Sequence, residues 1–246
     1  MAKKKRKKKL KKGRVLLAIL LCIVVVLGIY QGTKVTLTWL TSFLFKTDSF
    51  VEEVSGEVIG TVVLDAGHGG NDVGCNNGDI YEKDINLRYV QEIGNYLMKN
   101  GVQVYYTRKS DVRLADEQNA DLQARCNLGK ECDADYFISI HINSHEGDAN
   151  VSGFEVYYSY NDEDSYTLAT NVSNNIEELN YSDNRGVLEG NSLYVIRNNL
   201  VSPILVELGY INSDDLDYLL DDRKTEKLSQ QIGEAIIKTI KDKQWF

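Results

Sequence analysis

The sequence predicts an α/β protein: a single domain with a central, largely parallel or mixed sheet flanked by helices, preceded by an N-terminal transmembrane helix. From residue 58 onwards, short β-rich runs alternate with segments of helical periodicity, which is the pattern of a layered α/β domain. With 43% hydrophobic and 9% aromatic residues, the chain is too apolar to be disordered. The roughly 190 residues that follow the N-terminal segment suit one globular domain.

Strands and helices are predicted in a regular order along this domain. The predicted strands, which are short and rich in apolar residues, cover residues 58–65, 102–107, 136–143, 153–159, 193–196 and 204–208. The predicted helices, marked by apolar residues three or four positions apart, lie around 85–97, 116–126, 168–179 and 228–240. Gly101 stands where a glycine cap would end the first helix. This pattern does not fix the order of the strands in the sheet.

Charge is distributed unevenly between the two ends of the chain. Of the 28 Lys and Arg residues, 12 lie in residues 1–47, which contain no Asp or Glu. Residues 48–246 therefore hold 16 basic and 36 acidic residues, a net charge of −20. Because phosphate contacts need clustered Lys and Arg, nucleic acid is excluded as the expected partner of this acidic domain.

The N-terminal segment predicts a membrane anchor. A basic tail, residues 1–14, is followed by an uncharged apolar run, which we assign to a membrane span over residues 15–33. As a helix, residues 15–30 would cover roughly 24 Å of a hydrocarbon core about 30 Å thick, so the crossing includes residues 31–33 at the interface. A cleaved signal peptide is the alternative, but no small-x-small cleavage pattern follows the apolar run.

The basic tail also predicts the orientation of the anchor. Positively charged flanks stay on the cytoplasmic side, so the N-terminus is expected in the cytoplasm and the acidic domain outside the cell membrane. Residues 34–57 then form a linker to a domain over residues 58–243.

Three of the four cysteines, Cys75, Cys126 and Cys132, lie in the predicted domain, and an odd number cannot all pair within one chain. Cys126 and Cys132 flank a short loop and could form a disulfide in an oxidising compartment. Free thiols packed as small hydrophobic side chains are the alternative.

Two of the three histidines occupy positions where ligands are expected. His68 directly follows the first predicted strand, in the glycine-rich turn DAGHGG. In the strand over 136–143, the two-residue period puts Ser139, His141 and Asn143 on one polar face. That face reaches the strand end, where open α/β sheets usually place their ligands. Each histidine alone is also compatible with a structural or solvated role.

Two glutamates complete the set of candidate site residues. Glu207 interrupts the apolar strand ILVEL, where a carboxylate is costly unless it is paired or lies near a metal. Burial would raise its pKa toward the operating pH of a general base or acid, whereas a solvated strand end or a structural ion pair is the alternative. Glu82 fits the first turn of a helix, but with His68 and His141 it could complete the ligand set of a catalytic zinc site.

Four segments, taken in order, resemble the zinc-dependent N-acetylmuramoyl-L-alanine amidases of the bacterial cell wall, the type 3 amidase family. These segments are VLDAGHGG at 63–70, EKD at 82–84, SIHIN at 139–143 and LVELGY at 205–210. The resemblance extends over about residues 58–240. It implies a single α/β domain with a mostly parallel central sheet.

The resemblance also implies a role for each matching residue. His68, Glu82 and His141 would bind Zn²⁺, and Glu207 would act as the general base and acid. The implied reaction is hydrolysis of the amide between N-acetylmuramic acid and the L-alanine of the stem peptide, with peptidoglycan as the partner.

Two other functions share part of this pattern. A catalytically silent peptidoglycan-binding or regulatory protein would keep the same fold, but it would not need a carboxylate at position 207. A zinc peptidase acting on proteins is disfavoured because the sequence has no HExxH motif.

Overall fold

The computed structural model of the protein describes Val54 and residues 56–147 and 151–243. The predicted basic tail, the membrane span over 15–33 and nearly all of the linker lie outside the described residues. Within the described part of the chain, no helix has both the length and the apolar character that a membrane crossing requires.

The described strands are β1 Gly60–Ala66, β2 Asn76–Asn77, β3 Ile80–Tyr81, β4 Val102–Tyr106, β5 Tyr136–Asn143, β6 Phe154–Tyr158, β7 Asn184–Glu189 and β8 Ser202–Tyr210. The described helices are α1 Glu82–Lys99, α2 Gln118–Glu131, α3 Glu163–Glu177, α4 Tyr194–Arg197, α5 Asp215–Leu220 and α6 Asp222–Lys243.

Six strands form one mixed sheet in the order β4-β1-β5-β8-β6-β7. Strand β1 is parallel to β4 and β5, and β5 is parallel to β8. Strand β6 runs antiparallel to β8 and parallel to the edge strand β7. The predicted mostly parallel mixed sheet is confirmed. Since β1, β5 and β8 point the same way, their carboxyl ends meet at one edge of the sheet.

Helices cover both faces of this sheet because its central strands are buried on both sides. In β1, Val62 and Leu64 face the main core, where α1, α3 and α6 pack, while Val63 faces a smaller core beneath α2 and α4. The predicted apolar stripes are confirmed: α1 and α6 each bury a row of side chains at helical spacing. Gly101 has φ +84 just after α1, as the predicted cap requires.

The predicted strand over 193–196 is wrong, because the chain forms the short helix α4 there. Backbone bonds of 3.0 Å from Arg197 N–H to Leu193 O and from Asn198 N–H to Tyr194 O close its turns. A four-residue apolar run does not distinguish a strand from a helix. Strand β7 was not predicted, because it is a polar, largely exposed edge strand. The helix predicted to end at 126 continues to Glu131.

The cysteines of the described domain are free thiols: Cys126 is buried, and Cys75 and Cys132 are partly buried. Of the two alternatives left open by the sequence, the structure has the packed free thiols. Cys126 and Cys132 both contribute to the smaller core.

Candidate metal centre

The carboxyl edge of the sheet brings together the three predicted ligands. His68 follows β1, His141 lies near the end of β5, and Glu82 is the first residue of α1. Each offers one ligand atom, and these atoms all lie within 4.8 Å of one another. The convergence of the three side chains predicted from distant stretches of sequence is therefore present in the structure.

The carboxylate of Glu82 lies between the two imidazoles. Its Oε1 is 2.9 Å from Nδ1 of His141 and 3.2 Å from Nε2 of His68. The imidazole rings are nearly perpendicular, with centroids 5.1 Å apart. The backbone N–H of Cys75 donates to Oε2 at 2.9 Å, and the Asn86 side chain donates to Oε1 at 3.2 Å. Glu82 is thus buried and oriented by the protein.

His68 is oriented from its other side by Asp72. Nδ1 of His68 lies 2.9 Å from Oδ1 of Asp72, which leaves Nε2 to face Glu82. Metal-binding histidines commonly carry such a carboxylate partner on the second ring nitrogen, because it fixes the tautomer and the ring orientation. Asp72 was missed in the sequence, although a carboxylate four residues after a histidine in a glycine-rich turn was the available signal.

Two glycines make room for these side chains. A Cβ atom at Gly67 would collide with the ring of His141, and one at Gly74 would collide with the carboxylate of Glu82. Gly74 also has φ +68, a conformation that favours glycine. The close approach of backbone to ligand groups explains why glycines surround this site.

The carboxylate of Glu82 and the imidazole of His68 shift each other's pKa values. Burial disfavours protonated His68, but the hydrogen bonds and charges of Glu82 and Asp72 outweigh it and raise its pKa to about 9. Burial would raise the pKa of Glu82, yet hydrogen bonds from His141 and His68 hold that pKa far below its usual value. The carboxylate is therefore ionised, and a bound metal ion would displace the proton from His68, because a ligating imidazole is neutral. Two imidazoles with one carboxylate are a donor set of catalytic zinc sites.

Glu207 faces this cluster from the neighbouring strand β8. It lies opposite His141 of β5 and opposite Glu155 of β6 in the strand register. Among the described residues, no group forms a hydrogen bond with its buried Oε2. Burial is the main cause that raises the pKa of Glu207 to about 7, and the charges of Glu82 and Glu155 add to it, while that of His141 opposes it. A carboxyl group with this pKa can both accept and donate a proton near neutral pH.

A second polar cluster, which the sequence did not predict, adjoins Glu207. Glu155 is buried and accepts hydrogen bonds from Tyr157 at 2.6 Å, from Arg185 at 2.5 Å and from Tyr210 at 3.2 Å. No local motif marks these residues, since they meet only through strand pairing.

The register of β5 and β8 shifts between His141 and Asn143. Such irregularities change the direction of side chains next to functional sites.

Comparison with known proteins gives a consistent result. The family model described as N-acetylmuramoyl-L-alanine amidase matches residues 62–238. The chain is 36% identical over 183 residues to "Uncharacterized protein YqiI" of Bacillus subtilis (strain 168), covering 73% of this chain and 82% of that protein. It is 27% identical over 199 residues to the germination-specific N-acetylmuramoyl-L-alanine amidase of the same strain, covering 77% and 82%.

Among solved structures, the chain is similar to the crystal structure of N-acetylmuramoyl-L-alanine amidase from Clostridium difficile 630. The TM-score is 0.69 at 28% sequence identity, over 77% of this chain and 100% of that one. The family match over residues 62–238 includes His68, Glu82, His141 and Glu207.

The contact between His68 and Asp72 predicts that Asp72→Asn weakens divalent-metal binding about 10- to 100-fold, because the imidazole loses its charged orienting partner. Competition titration with a chromophoric chelator measures this affinity. Asp79→Asn, in the exposed turn between β2 and β3, is the matched control and should leave the affinity unchanged. Equal affinities for Asp72→Asn and the unsubstituted protein would contradict an orienting role.

Proposed function

The chain belongs to the N-acetylmuramoyl-L-alanine amidase family and is a peptidoglycan hydrolase, and we propose that it works through one zinc ion held by His68, Glu82 and His141, with Glu207 transferring the proton. The bond that the enzyme hydrolyses joins N-acetylmuramic acid to the L-alanine of the stem peptide. The observation that carries the mechanistic proposal is the buried Oε2 of Glu207, which forms no hydrogen bond with any described residue and lies beside three converging side chains.

The donor set and its surroundings fit zinc. Two imidazoles and one carboxylate leave a coordination position for water or substrate, and Asp72 supplies the outer support that ligating histidines use. Zinc in such a site polarises a carbonyl group and lowers the pKa of water to near neutrality.

Glu207 supplies the proton transfers of the reaction. Ionised Glu207 accepts a proton from the attacking water as the new C–O bond forms. The protonated carboxyl group then donates that proton to the leaving nitrogen as the C–N bond breaks, which releases a free carboxylate and the amino group of the stem peptide. A pKa of about 7 suits both steps, because neither protonation state is strongly favoured at neutral pH.

The different surroundings of Glu82 and Glu207 give the two carboxyl groups different roles. Glu82 is saturated with hydrogen bonds and stays ionised, so it serves as a ligand. Glu207 keeps Oε2 free of hydrogen bonds among the described residues, so that oxygen remains available for a proton. Pairs of carboxyl groups whose environments separate their pKa values commonly divide in this way.

Because Glu207 is not one of the three proposed ligands, substitutions should separate metal binding from turnover. Glu207→Gln should retain metal and lose at least about 100-fold in kcat, because the amide cannot accept the proton. His141→Ala should lose both metal and activity. Metal analysis, paired with mass spectrometry of digested peptidoglycan, measures the two properties on the same purified samples.

A control and a contradicting result complete this test. Glu189→Gln, at the exposed end of β7, should leave metal content and rate unchanged. Near-normal turnover by Glu207→Gln would assign the base to another residue. Turnover that persists after complete metal removal would contradict the zinc mechanism itself.

We also propose that residues 15–33 anchor the enzyme in the cell membrane, with the N-terminus in the cytoplasm and residues 58–243 outside. The support is the basic tail directly before the apolar run. The domain would then act on peptidoglycan close to the membrane.

This topology predicts that an alkaline phosphatase reporter, which folds to an active form only outside the cytoplasm, is active when fused after residue 57 and inactive after residue 14. Mass spectrometry of the membrane fraction should find residues 1–33 still attached to the domain. Equal reporter activity at both positions, or a mature chain that begins after residue 33, would contradict the proposed anchor.

A further inference from the structure

Arg185 is an exposed arginine that the structure holds in one orientation beside the site. Its Nε donates to Glu155 at 2.5 Å, and its Nη1 donates to the backbone oxygen of Ser152 at 3.4 Å. The guanidinium carbon lies 5.4 Å from the ring centre of Tyr210. The side chain nevertheless keeps 41% of its surface exposed.

The residues around Arg185 fix the position of its side chain. A Cβ atom at Gly153, which has φ +118, would lie 2.6 Å from Cγ and Cδ of Arg185, so the arginine stem lies directly against that glycine. Glu155 is 95% buried and is fixed in turn by the hydroxyl groups of Tyr157 and Tyr210. The orientation of the guanidinium is therefore set by buried partners.

This arrangement leaves donors of Arg185 available for a ligand. A guanidinium has five N–H donors in a planar fork that matches a carboxylate. Within the described part of the chain, Nε and Nη1 each form one hydrogen bond and Nη2 forms none. Holding the fork in advance reduces the side-chain entropy that binding would otherwise cost.

Strand order places Arg185 at a defined distance from the chemistry. Glu155, its partner, lies opposite Glu207 in the register of β6 and β8, and Arg185 is on β7, the next strand. Two strand spacings are about 10 Å. An extended peptide covers that distance in about three residues.

The chemistry of the substrate identifies the group that Arg185 fits. In peptidoglycan, the lactyl carboxyl group of N-acetylmuramic acid is consumed in the scissile amide, so the free carboxylates near this bond belong to the stem peptide. Residues 48–246 carry a net charge of −20, which repels carboxylates unless a local cation receives them. We propose that Arg185 binds a stem-peptide carboxylate two or three residues from the scissile amide, an inference that rests on the amidase function.

Paired substrates test this proposal with the full-length, zinc-loaded enzyme in detergent. The probes are N-acetylmuramoyl tripeptides whose second and third residues carry free carboxylates, and the same compounds with each carboxylate amidated in turn. For the unsubstituted enzyme, amidation of one of these groups should lower kcat/KM about 10- to 100-fold, mainly through KM, because a charged hydrogen-bonded contact is lost.

Substitutions assign the effect to Arg185. Arg185→Gln should cleave free and amidated substrates equally, at the lower rate, and Arg185→Lys should restore part of the preference. Arg197→Gln is the matched control, because Arg197 on α4 also lies near an aromatic ring, that of Tyr194 at 6.0 Å, but belongs to another part of the fold. It should keep the full preference.

The results that would contradict the carboxylate site differ from those that would contradict the amidase function. Equal cleavage of free and amidated substrates by the unsubstituted enzyme would overturn the carboxylate site while leaving the amidase function intact, whatever the stability of the variants. An undiminished preference in Arg185→Gln would also overturn it. No cleavage of any of the tripeptides or of whole peptidoglycan would instead contradict the amidase function.

Discussion

Two buried guanidinium groups hold the turn on which the site depends. Arg125 donates to the backbone oxygens of Ala66 and His68 at 2.8 Å, and Arg108 donates to those of Ala66 and Gly67 at 2.9 Å. His68 has φ +63, an uncommon conformation for a residue with a side chain, which persists only where the surroundings determine it. Arg108 also donates to the oxygen of Lys83 at 2.7 Å, which ties this turn to the start of α1. These hydrogen bonds therefore fix the turn that carries His68 relative to the start of α1, which carries Glu82.

The charge of Arg125 is balanced within the same buried network. Its guanidinium lies 2.8 Å from both Asp65 and Asp121. Burial would raise the pKa of Asp65, but Arg125 and the hydroxyl groups of Ser139 and Thr107 keep that pKa below its usual value. Asp65 lies near the end of β1 and Ser139 lies in β5, so the network joins the two strands that lead to His68 and His141. The hydrogen bonds of these buried polar groups therefore hold the ligand-bearing segments rigidly. Glu207 differs, because its Oε2 has no hydrogen-bond partner among the described residues and remains available for proton transfer.

Sequence alone predicted most of the scaffold and the centre of the site. The strand over 136–143 and the helix that begins at Glu82 were predicted because their periodicities are long and regular. Helix α4 was mistaken for a strand, because four apolar residues carry no period. Asp72, Glu155 and Arg185 were missed for a different reason: their roles arise from a tight turn and from pairing between distant strands, and neither leaves a local pattern. The close approach of backbone that requires glycine at Gly67 is likewise visible only in the fold.

The proposed chemistry requires that His68, Glu82 and His141 together bind one zinc ion. X-ray absorption at the zinc edge of the purified, active protein reports these ligands. If these three side chains hold the ion, the protein should bind one zinc per chain, with nitrogen and oxygen ligands at about 2.0–2.1 Å, imidazole scattering and no sulfur, and His141→Ala should lose the zinc signal. A sulfur shell at about 2.3 Å, or a zinc signal unaffected by His141→Ala, would contradict this ligand set.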